Sequence, residues 1–298
     1  MPTVATPTGI DLYYETIGEP ENPPLLLVMG YGAQMIAWPR EFSQLLAAGG
    51  RFVIELDNRD SGLSTKLDGA ELDIDAVMAA AGEGDLARAA ALAPYTLSDL
   101  ADDCVALLDA LRIDRAHVLG ASMGGMIAQQ LAIEHPDRLL TLVSMFSNTG
   151  EPGVGQPTQE ALEALLTPSP LERAAYIEAS SAKAMIWASR RYGDRARAEV
   201  LAAESFDRGI YPDGVTRQLA AMLASGSRAD GLRDLTVPTL VIHGLDDTLI
   251  QPDGGERTAE LIPDARLLLV EDMGHDRPEE LWPILAEAIL LHTDAVPA

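Results

Sequence analysis

An apolar run that ends in a glycine-framed serine and continues as a helix limits what this chain can fold into. Residues 116–120 have the pattern of a buried strand, and residues 126–135 have that of an amphipathic helix. Between them, residues 120–124 read G-x-S-x-G around Ser122. Small residues on both sides let strand and helix pack closely around a serine that projects from the corner. The segment therefore predicts a sharp strand–turn–helix corner with Ser122 at its apex.

The same segment has two interpretations. One is a glycine-rich turn with an ordinary helix-capping serine. The other is a nucleophilic serine, which the strand before it and the helix after it favour. The helix N-terminus would also direct its dipole at negative charge that develops during a reaction.

Short apolar runs alternate with longer helical patterns along most of the chain. The predicted strands are residues 12–16, 25–29, 52–56, 116–120, 140–145, 239–243 and 266–270, with a short eighth at 3–5. Most later runs are continuously apolar, as in strands covered on both faces, whereas the first long run is more polar and precedes a Gly-Glu-Pro turn. The pattern predicts an α/β fold with a mostly parallel eight-stranded sheet, an antiparallel edge and flanking helices.

Two stretches interrupt this alternation. Residues 67–94 are rich in alanine and aspartate, and we interpret them as an insertion before a helix that starts near Ser98. Residues 147–235 begin with a Gly/Pro-rich linker and continue as helical segments without strand patterns, and this stretch is too long for a loop. We predict a core domain of residues 1–146 and 236–298, with residues 147–235 inserted as a helical cap over the carboxyl edge of the sheet.

The charge of the chain limits its partners. The 46 acidic and 21 basic residues give a formal net charge of −25. Nucleic acids and anionic membrane surfaces attract basic faces, so neither is an expected partner. The sequence has no apolar run near the ~20 residues of a membrane helix and no signal-peptide pattern at its start, so we expect a cytoplasmic protein. Cys104, the single cysteine, lies in a helical pattern and is predicted to be a buried structural thiol.

The order of several motifs resembles that of the α/β-hydrolase family, over nearly the whole chain. Besides the serine corner, the resemblance rests on L-L-L-V-M-G at 25–30, D-N-R-D-S-G-L-S at 57–64, V-P-T-L-V-I-H-G-L-D-D at 237–247 and M-G-H at 273–275. It implies an α/β-hydrolase fold in which Ser122 is the nucleophile. Asp60 replaces a glycine of the family in the second motif, and we interpret that loop as structural.

Five histidines are candidates for the catalytic base. His117 stands at the end of the serine strand away from Ser122, and His135 stands at a helix end. His243 stands at a strand end, and His292 lies near the C-terminus. His275 follows the predicted strand 266–270 in a loop beside Gly274. This places it at the carboxyl edge, where ligands meet open parallel sheets. The family resemblance assigns the base to His275, and the alternative is a surface loop histidine.

The triad acid is expected between Ser122 and His275, since triads in this fold follow the chain order serine, acid, histidine. Asp246 and Asp247 both follow a predicted strand in that interval. A carboxylate there would hold the tautomer of the imidazole and stabilise its cation. The family commonly has its acid at the last position of G-x-x-D, which selects Asp247. The usual proline four residues later is displaced to Pro252, so Asp246 stays an alternative.

The oxyanion hole is assigned by resemblance. Its first loop often begins His-Gly in the family, whereas residues 29–32 of this chain read M-G-Y-G. Because the donors are backbone N–H groups, the missing histidine need not abolish the hole. The resemblance implies the amides of Tyr31 and Met123 as donors. The alternative is that Gly30 and Gly32 only permit a tight turn.

The expected reaction follows from the nucleophile. Serine at this position disfavours haloalkane dehalogenases and epoxide hydrolases, which use aspartate there. No metal-ligand cluster, phosphate loop or dinucleotide fingerprint stands in the sequence, so neither a metal nor a cofactor is expected. The sequence therefore predicts a serine carboxylesterase that forms an acyl-enzyme from a small-molecule ester. The alternatives are a carbon–carbon bond hydrolase or perhydrolase with the same triad, or a non-catalytic binding member of the fold.

Three further motifs bear on the choice of substrate. The motifs V-M-G-Y at 28–31, A-W-P at 37–39 and D-x-R-D-x-G at 57–62 resemble aclacinomycin methylesterase-type hydrolases. This implies a methyl ester or another bulky, partly apolar substrate. Candidates for the substrate-binding wall, each of which could instead be a core residue, are Met35, Trp38, Met145, Phe146 and Trp187.

Overall fold

The computed structural model describes residues 3–296, in which eight strands form one sheet. The strands are β1 Thr3–Ala5, β2 Asp11–Ile17, β3 Pro24–Val28, β4 Phe52–Leu56, β5 Ala116–Ala121, β6 Leu139–Met145, β7 Thr239–Gly244 and β8 Arg266–Val270. Their order in the sheet is β1-β2-β4-β3-β5-β6-β7-β8. β2 pairs antiparallel with β1 and β4, and all other neighbours are parallel. The predicted mostly parallel sheet with an antiparallel edge is confirmed.

Helices cover both faces of the sheet and fill the long interval between β6 and β7. They are α1 Arg40–Ala48, α2 Ile74–Gly82, α3 Leu86–Leu92, α4 Leu97–Ala110, α5 Met123–Glu134, α6 Gln159–Leu166, α7 Arg173–Trp187, α8 Arg195–Arg208, α9 Pro212–Ser225, α10 Ala229–Arg233, α11 Asp253–Leu261 and α12 Trp282–Asp294. Short 3₁₀ turns occupy Met35–Ala37, Pro136–Arg138 and Glu279–Leu281. None of the helices described within residues 3–296 is long and apolar enough to cross a membrane.

The period-two alternation of strand side chains divides the core into two layers. Leu25 and Leu27 of β3 pack in the layer that contains side chains of α1 and α12. Leu26 and Val28 pack in the other layer, with side chains of α4 and α5. All four are fully buried, and each such side chain contributes about 1.5–3 kcal/mol relative to an exposed one. The continuous apolar runs of the sequence are explained by this burial on both faces.

The first interruption of the strand–helix alternation, residues 67–94, contains two helices rather than irregular chain. Val77 of α2 and Ala89 of α3 pack against Ala220 and Ala224 of α9, all of them buried. Small alanine side chains let these helices approach closely. The following helix, α4, begins at a capping box in which the backbone N–H of Thr96 donates to Asp99 Oδ2 at 2.8 Å.

The second interruption, residues 147–235, contains α6 to α10 and no strand in the structure described. Two buried ion pairs tie its helices to the loop that follows β4. Arg208 Nη2 of α8 lies 2.6 Å from Asp57 Oδ2, and Arg217 Nε of α9 lies 2.8 Å from Asp60 Oδ2. Asp60, which replaces a family glycine, therefore has a structural partner in this helical segment.

Cys104 is fully buried in α4. Burial raises the pKa of its thiol far above the ordinary value, so the reactive thiolate is suppressed. The prediction of a buried structural thiol agrees with this position.

Candidate active site

Ser122 stands at the corner between β5 and α5 in a backbone conformation that non-glycine residues rarely adopt. Its φ is 57° and its ψ is −124°. The corner is held by hydrogen bonds on both sides, from the N–H of Ser122 to Met145 O at 3.0 Å and from the N–H of Gly125 to Ser122 O at 2.8 Å. Strained residues that their surroundings hold in place cluster at functional sites. The local fold thus presents Ser122 as a half-buried apex at the cavity.

The glycines around the corner are required by close backbone contacts. A Cβ atom on Gly120 would collide with the carbonyl oxygen of Gly124, and one on Gly124 would collide with the carbonyl oxygen of Val28. A Cβ atom on Gly30 would lie 2.8 Å from the Cβ atom of Ser122. The G-x-S-x-G spacing and Gly30 therefore allow two loops to converge on one serine.

His275 lies in the loop after β8, and its orientation is fixed by two hydrogen bonds. Its Nδ1 lies 2.7 Å from Asp247 Oδ2, and its backbone N–H donates to Trp187 O at 2.6 Å. The carboxylate contact assigns the proton to Nδ1 and leaves Nε2 to accept a proton. No hydrogen bond joins Ser122 Oγ to this imidazole among residues 3–296, but both residues line one cavity. Such contacts are often loose without a ligand and tighten when substrate binds.

Asp247 is buried, and both of its carboxylate oxygens have partners. Oδ1 accepts hydrogen bonds from the N–H groups of Leu249 and Ile250 at 2.8 and 2.9 Å, and Oδ2 faces His275. His243 Nε2 is 3.5 Å from Oδ2. Burial alone would raise the pKa of Asp247, but the histidines and hydrogen bonds outweigh it and hold the pKa at about 2. The carboxylate is ionised at neutral pH.

Asp246, the other candidate acid, faces away from the imidazole. Its Oδ2 accepts a hydrogen bond from the backbone N–H of Arg190 at 3.1 Å, and its Oδ1 lies 3.6 Å from the Arg190 Nε. Its own N–H donates to Met273 O. Of the two adjacent aspartates, the structure brings only Asp247 to His275.

The backbone N–H groups of Tyr31 and Met123 are free of hydrogen bonds within residues 3–296. Met123 is the first residue of α5, where helix N–H groups have no intrahelical acceptor. Tyr31 follows Gly30, which contacts Ser122. The next amide, that of Gly32, is already used by Gln218 Oε1 at 2.8 Å. Two unpaired donors thus flank the serine.

The cavity that contains Ser122 and His275 has a volume of about 900 Å³. Four of the five proposed wall residues line it: Met35, Trp38, Phe146 and Trp187. Met145 does not. It is the last residue of β6 and is fully buried in the layer with α1 and α12. Phe146 packs in the same apolar cluster but lies beyond the end of β6, with a φ of 34°, and it also borders the cavity.

Further cavity residues had not been singled out from the sequence. They include Met126, Met185, Tyr192, Met222, Leu249 and Arg277. Three of the six, Met126, Met185 and Met222, are apolar side chains on helices, which sequence patterns do not distinguish from core residues. Arg277 carried a usable signal, because it stands two residues after His275 in the same loop.

No group of three or more His, Cys, Asp or Glu side chains within residues 3–296 is arranged to hold a metal ion. The polar side chains of the cavity do not form such a cluster.

Comparison with known proteins places the chain in a family. Residues 23–280 match the family described as alpha/beta hydrolase fold. The chain belongs to the α/β-hydrolase family. The motif order that resembles this family, and the fold expected from it, are confirmed by this match.

The hydrolase is similar to enzymes of more than one reaction type. It is 31% identical to rhodomycin D methylesterase DauP of Streptomyces sp. strain C5, over 99% of each chain. It is 32% identical to a 2-hydroxy-6-oxononadienedioate/2-hydroxy-6-oxononatrienedioate hydrolase of a Pseudomonas species, over 57% of this chain and 59% of that one. The methylesterase agrees with the predicted resemblance to aclacinomycin methylesterase-type enzymes.

Solved structures show the same architecture. The meta-cleavage product hydrolase of Pseudomonas fluorescens IP01 superposes with a TM-score of 0.76 at 20% identity, covering 99% of this chain and 98% of that one. At this identity the likeness concerns the fold of the hydrolase alone.

Proposed function

We propose that the protein is a carboxylic ester hydrolase that acts through a Ser122–His275–Asp247 triad. The observation that carries the proposal is the 2.7 Å contact between Asp247 and His275 in a cavity that also contains the strained Ser122. A nucleophile, a base and a carboxylate that orients the base are the parts that acyl transfer needs.

In the first step, Ser122 Oγ attacks the ester carbonyl while His275 Nε2 takes its proton. The negative charge moves to the carbonyl oxygen, where the N–H groups of Tyr31 and Met123 donate to it. Asp247 holds the proton on Nδ1 and stabilises the imidazolium. Collapse of the intermediate breaks the bond to the leaving alcohol, which receives the proton from Nε2.

In the second step, water replaces the alcohol. His275 accepts a proton from the water as its oxygen attacks the acyl carbonyl of Ser122. The same two N–H groups stabilise the second oxyanion. The bond to Ser122 Oγ then breaks, the serine recovers its proton from His275, and the carboxylic acid leaves.

The cavity favours a bulky or apolar ester, including a methyl ester. Met35, Trp38, Phe146 and Trp187 supply apolar wall, and the relatives with 31% identity are rhodomycin D methylesterases. Residues 147–235 would act as the cap that selects the substrate, since Met185 and Trp187 of α7 lie on the cavity wall. The reacting side chains all come from residues outside that segment.

A fluorophosphonate that labels activated serines tests the proposal directly. We expect stoichiometric labelling at Ser122, identified by peptide mass spectrometry, and no labelling in Ser122→Ala. The rate at which Ser122 becomes labelled should equal the rate at which hydrolysis of a p-nitrophenyl ester is lost. Labelling at Ser61, Ser64 or Ser144 instead would contradict the assignment of the nucleophile.

A carbon–carbon bond hydrolase is the second candidate, because the chain is 32% identical to a 2-hydroxy-6-oxononadienedioate hydrolase over part of its length. The two reactions can be separated with one enzyme preparation. A vinylogous 1,5-diketone, whose cleavage is followed by loss of its visible absorbance, should turn over at least about 100-fold more slowly than a methyl or aryl ester. The reverse order would favour the second candidate.

A further inference from the structure

Arg277 places a positive charge in the wall of the proposed catalytic cavity. Its guanidinium lies 4.4 Å from the centre of the nearest Trp38 ring and 5.3 Å from the Phe146 ring centre. The Phe146 ring in turn lies 4.6 Å from the imidazole of His275. The cation and the proposed base therefore pack against the same aromatic ring.

The guanidinium has fewer partners than its burial requires. Nη2 donates to Ala37 O at 2.7 Å, while Nε is buried without an acceptor. No carboxylate oxygen of residues 3–296 lies within 4.0 Å of it. Nη1 makes no hydrogen bond to the described residues and is not buried. Burial lowers the pKa of Arg277 to about 10, so the group stays cationic at neutral pH.

Arg228, which is buried, shows what a purely structural cation looks like in this protein. It also lacks a carboxylate partner within the described chain, but it donates to the side chain of Gln129 and to the carbonyl oxygens of Gly226 and Asn148. A buried cation without such compensation is costly. Arg277, with a single acceptor, leaves donors unused beside a cavity.

The charged neighbours of Arg277 are engaged elsewhere. Asp276 accepts hydrogen bonds from the N–H groups of Gly274 and Ser189, one on each oxygen, at 3.0 Å. Arg197, the other arginine nearby, donates to Glu279 at 3.1 Å. Neither side chain hydrogen-bonds to the guanidinium, whose Nε and Nη1 have no acceptor among residues 3–296.

We propose that Arg277 binds a carboxylate of the substrate, so that the molecule hydrolysed is an ester that also carries a free acid. This inference rests on the proposed function. The planar guanidinium matches a carboxylate in charge and geometry. Arg277 and His275 both pack against the Phe146 ring, so the acid and the ester carbonyl bind along the same stretch of cavity wall.

Two matched esters test the proposal. Mono-p-nitrophenyl glutarate carries the free acid, and p-nitrophenyl methyl glutarate has the same length without the charge. We expect the wild-type enzyme to have a higher kcat/KM for the ester with the free acid than for its uncharged partner. The same pair of esters can be made from each dicarboxylic acid from succinate to suberate, and the preference should appear at glutarate or at a neighbouring chain length. The net charge of −25 repels anions in general, so non-specific attraction would not produce the preference.

Substitution of Arg277 should remove the preference. In Arg277→Met, which keeps an unbranched stem in the aromatic stack, the ratio of the two kcat/KM values should fall about 10- to 100-fold. Arg277→Lys should retain part of it. Arg266→Met, an exposed arginine at the start of β8, removes the same charge as a control and should keep the wild-type ratio.

Binding to the Ser122→Ala protein makes the outcome independent of turnover. Calorimetry with mono-p-nitrophenyl glutarate should show binding that Arg277→Met in the same background weakens at least about tenfold. An unchanged ratio and unchanged binding, with only a lower melting temperature, would mean that Arg277 is structural and would overturn the inference. Failure of both esters to turn over, with acid binding still dependent on Arg277, would instead contradict the proposed function alone.

Discussion

The carboxyl edge of the sheet and the helical segment 147–235 meet at one cavity, but they are built differently. At the edge, Asp247 is 3% exposed and both of its oxygens are hydrogen-bonded. In the segment, the cavity-facing side chains of α7 are half-buried and apolar. Leu166 and Leu171, in and just after α6, are 52% and 70% exposed.

The difference separates two requirements of the proposed reaction. A proton-transfer group must be held in one orientation, which needs buried polar contacts that are all satisfied. A substrate wall needs only shape and apolar surface, and such surfaces tolerate exchange of one apolar side chain for another. The edge therefore fixes the chemistry, while the segment can vary with the substrate.

The helical segment is itself not uniform. α9 is tied to the core by the Arg217–Asp60 ion pair and by Gln218, which accepts a hydrogen bond from the N–H of Gly32. α6 has no ion pair to the core within the described residues. The segment thus contains both a helix that is tied to the core, α9, and a helix without such ion pairs, α6.

Ser122→Ala should give the largest loss. We expect kcat on a short p-nitrophenyl ester to fall at least about 10³-fold, because the covalent route is removed while the corner keeps its backbone hydrogen bonds. Steady-state kinetics and the far-UV circular dichroism spectrum measure both parts of this expectation. Ser98→Ala, at an exposed position on α4, is the control. A variant that keeps a tenth of the activity would exclude Ser122 as the nucleophile.

Asp247→Asn should lower kcat about 10²- to 10³-fold, since an amide does not stabilise the imidazolium. Its oxygen can still accept from the N–H groups of Leu249 and Ile250, so the loop should keep its shape. Asp246→Asn is the matched control and should change kcat less than about fivefold. Equal losses in the two variants would show that the contact with His275 is not what matters at this edge.

Trp187→Ala should change selectivity more than chemistry. The backbone carbonyl that accepts from the N–H of His275 remains, and only the indole leaves the cavity wall. We expect the ratio of kcat/KM for a bulky ester to that for an acetate ester to shift about tenfold. Leu166→Ala, at an exposed position of α6, should leave the ratio as it is. If Trp187→Ala slows all esters equally, residues 147–235 contribute to catalysis, and the division of roles between this segment and the sheet edge is wrong.

Hydrogen exchange should detect the smallest expected effect, which is a difference in amide exchange rate between helices of the segment 147–235. Amides of α6 should exchange at least about tenfold faster than those of α9, and both faster than those of β3 and β5, because exposed elements with few core contacts open more readily. Mass spectrometry of peptides from the intact protein measures this order. Uniformly slow exchange across residues 159–225 would place the whole segment in the core.

Much of the fold and part of the candidate site follow from local sequence patterns. The corner at Ser122 could be predicted because Gly120 and Gly124 are needed where backbones touch, and that need appears as a fixed spacing. The strands could be predicted because burial on both faces leaves continuous apolar runs. The position of His275 at the carboxyl edge follows from its place after a strand in a parallel sheet.

Only the tertiary structure decided between neighbours in the chain. Asp246 and Asp247 differ by one residue, yet one meets Arg190 and the other meets His275. At the end of β6, Met145 and Phe146 share one apolar cluster, but only Phe146, where a φ of 34° turns the backbone, also borders the cavity. Side-chain direction in a turn depends on backbone angles that long-range hydrogen bonds fix, and a linear pattern does not contain those contacts. For the same reason the unpaired donors of Arg277 became visible only when its surroundings were in place.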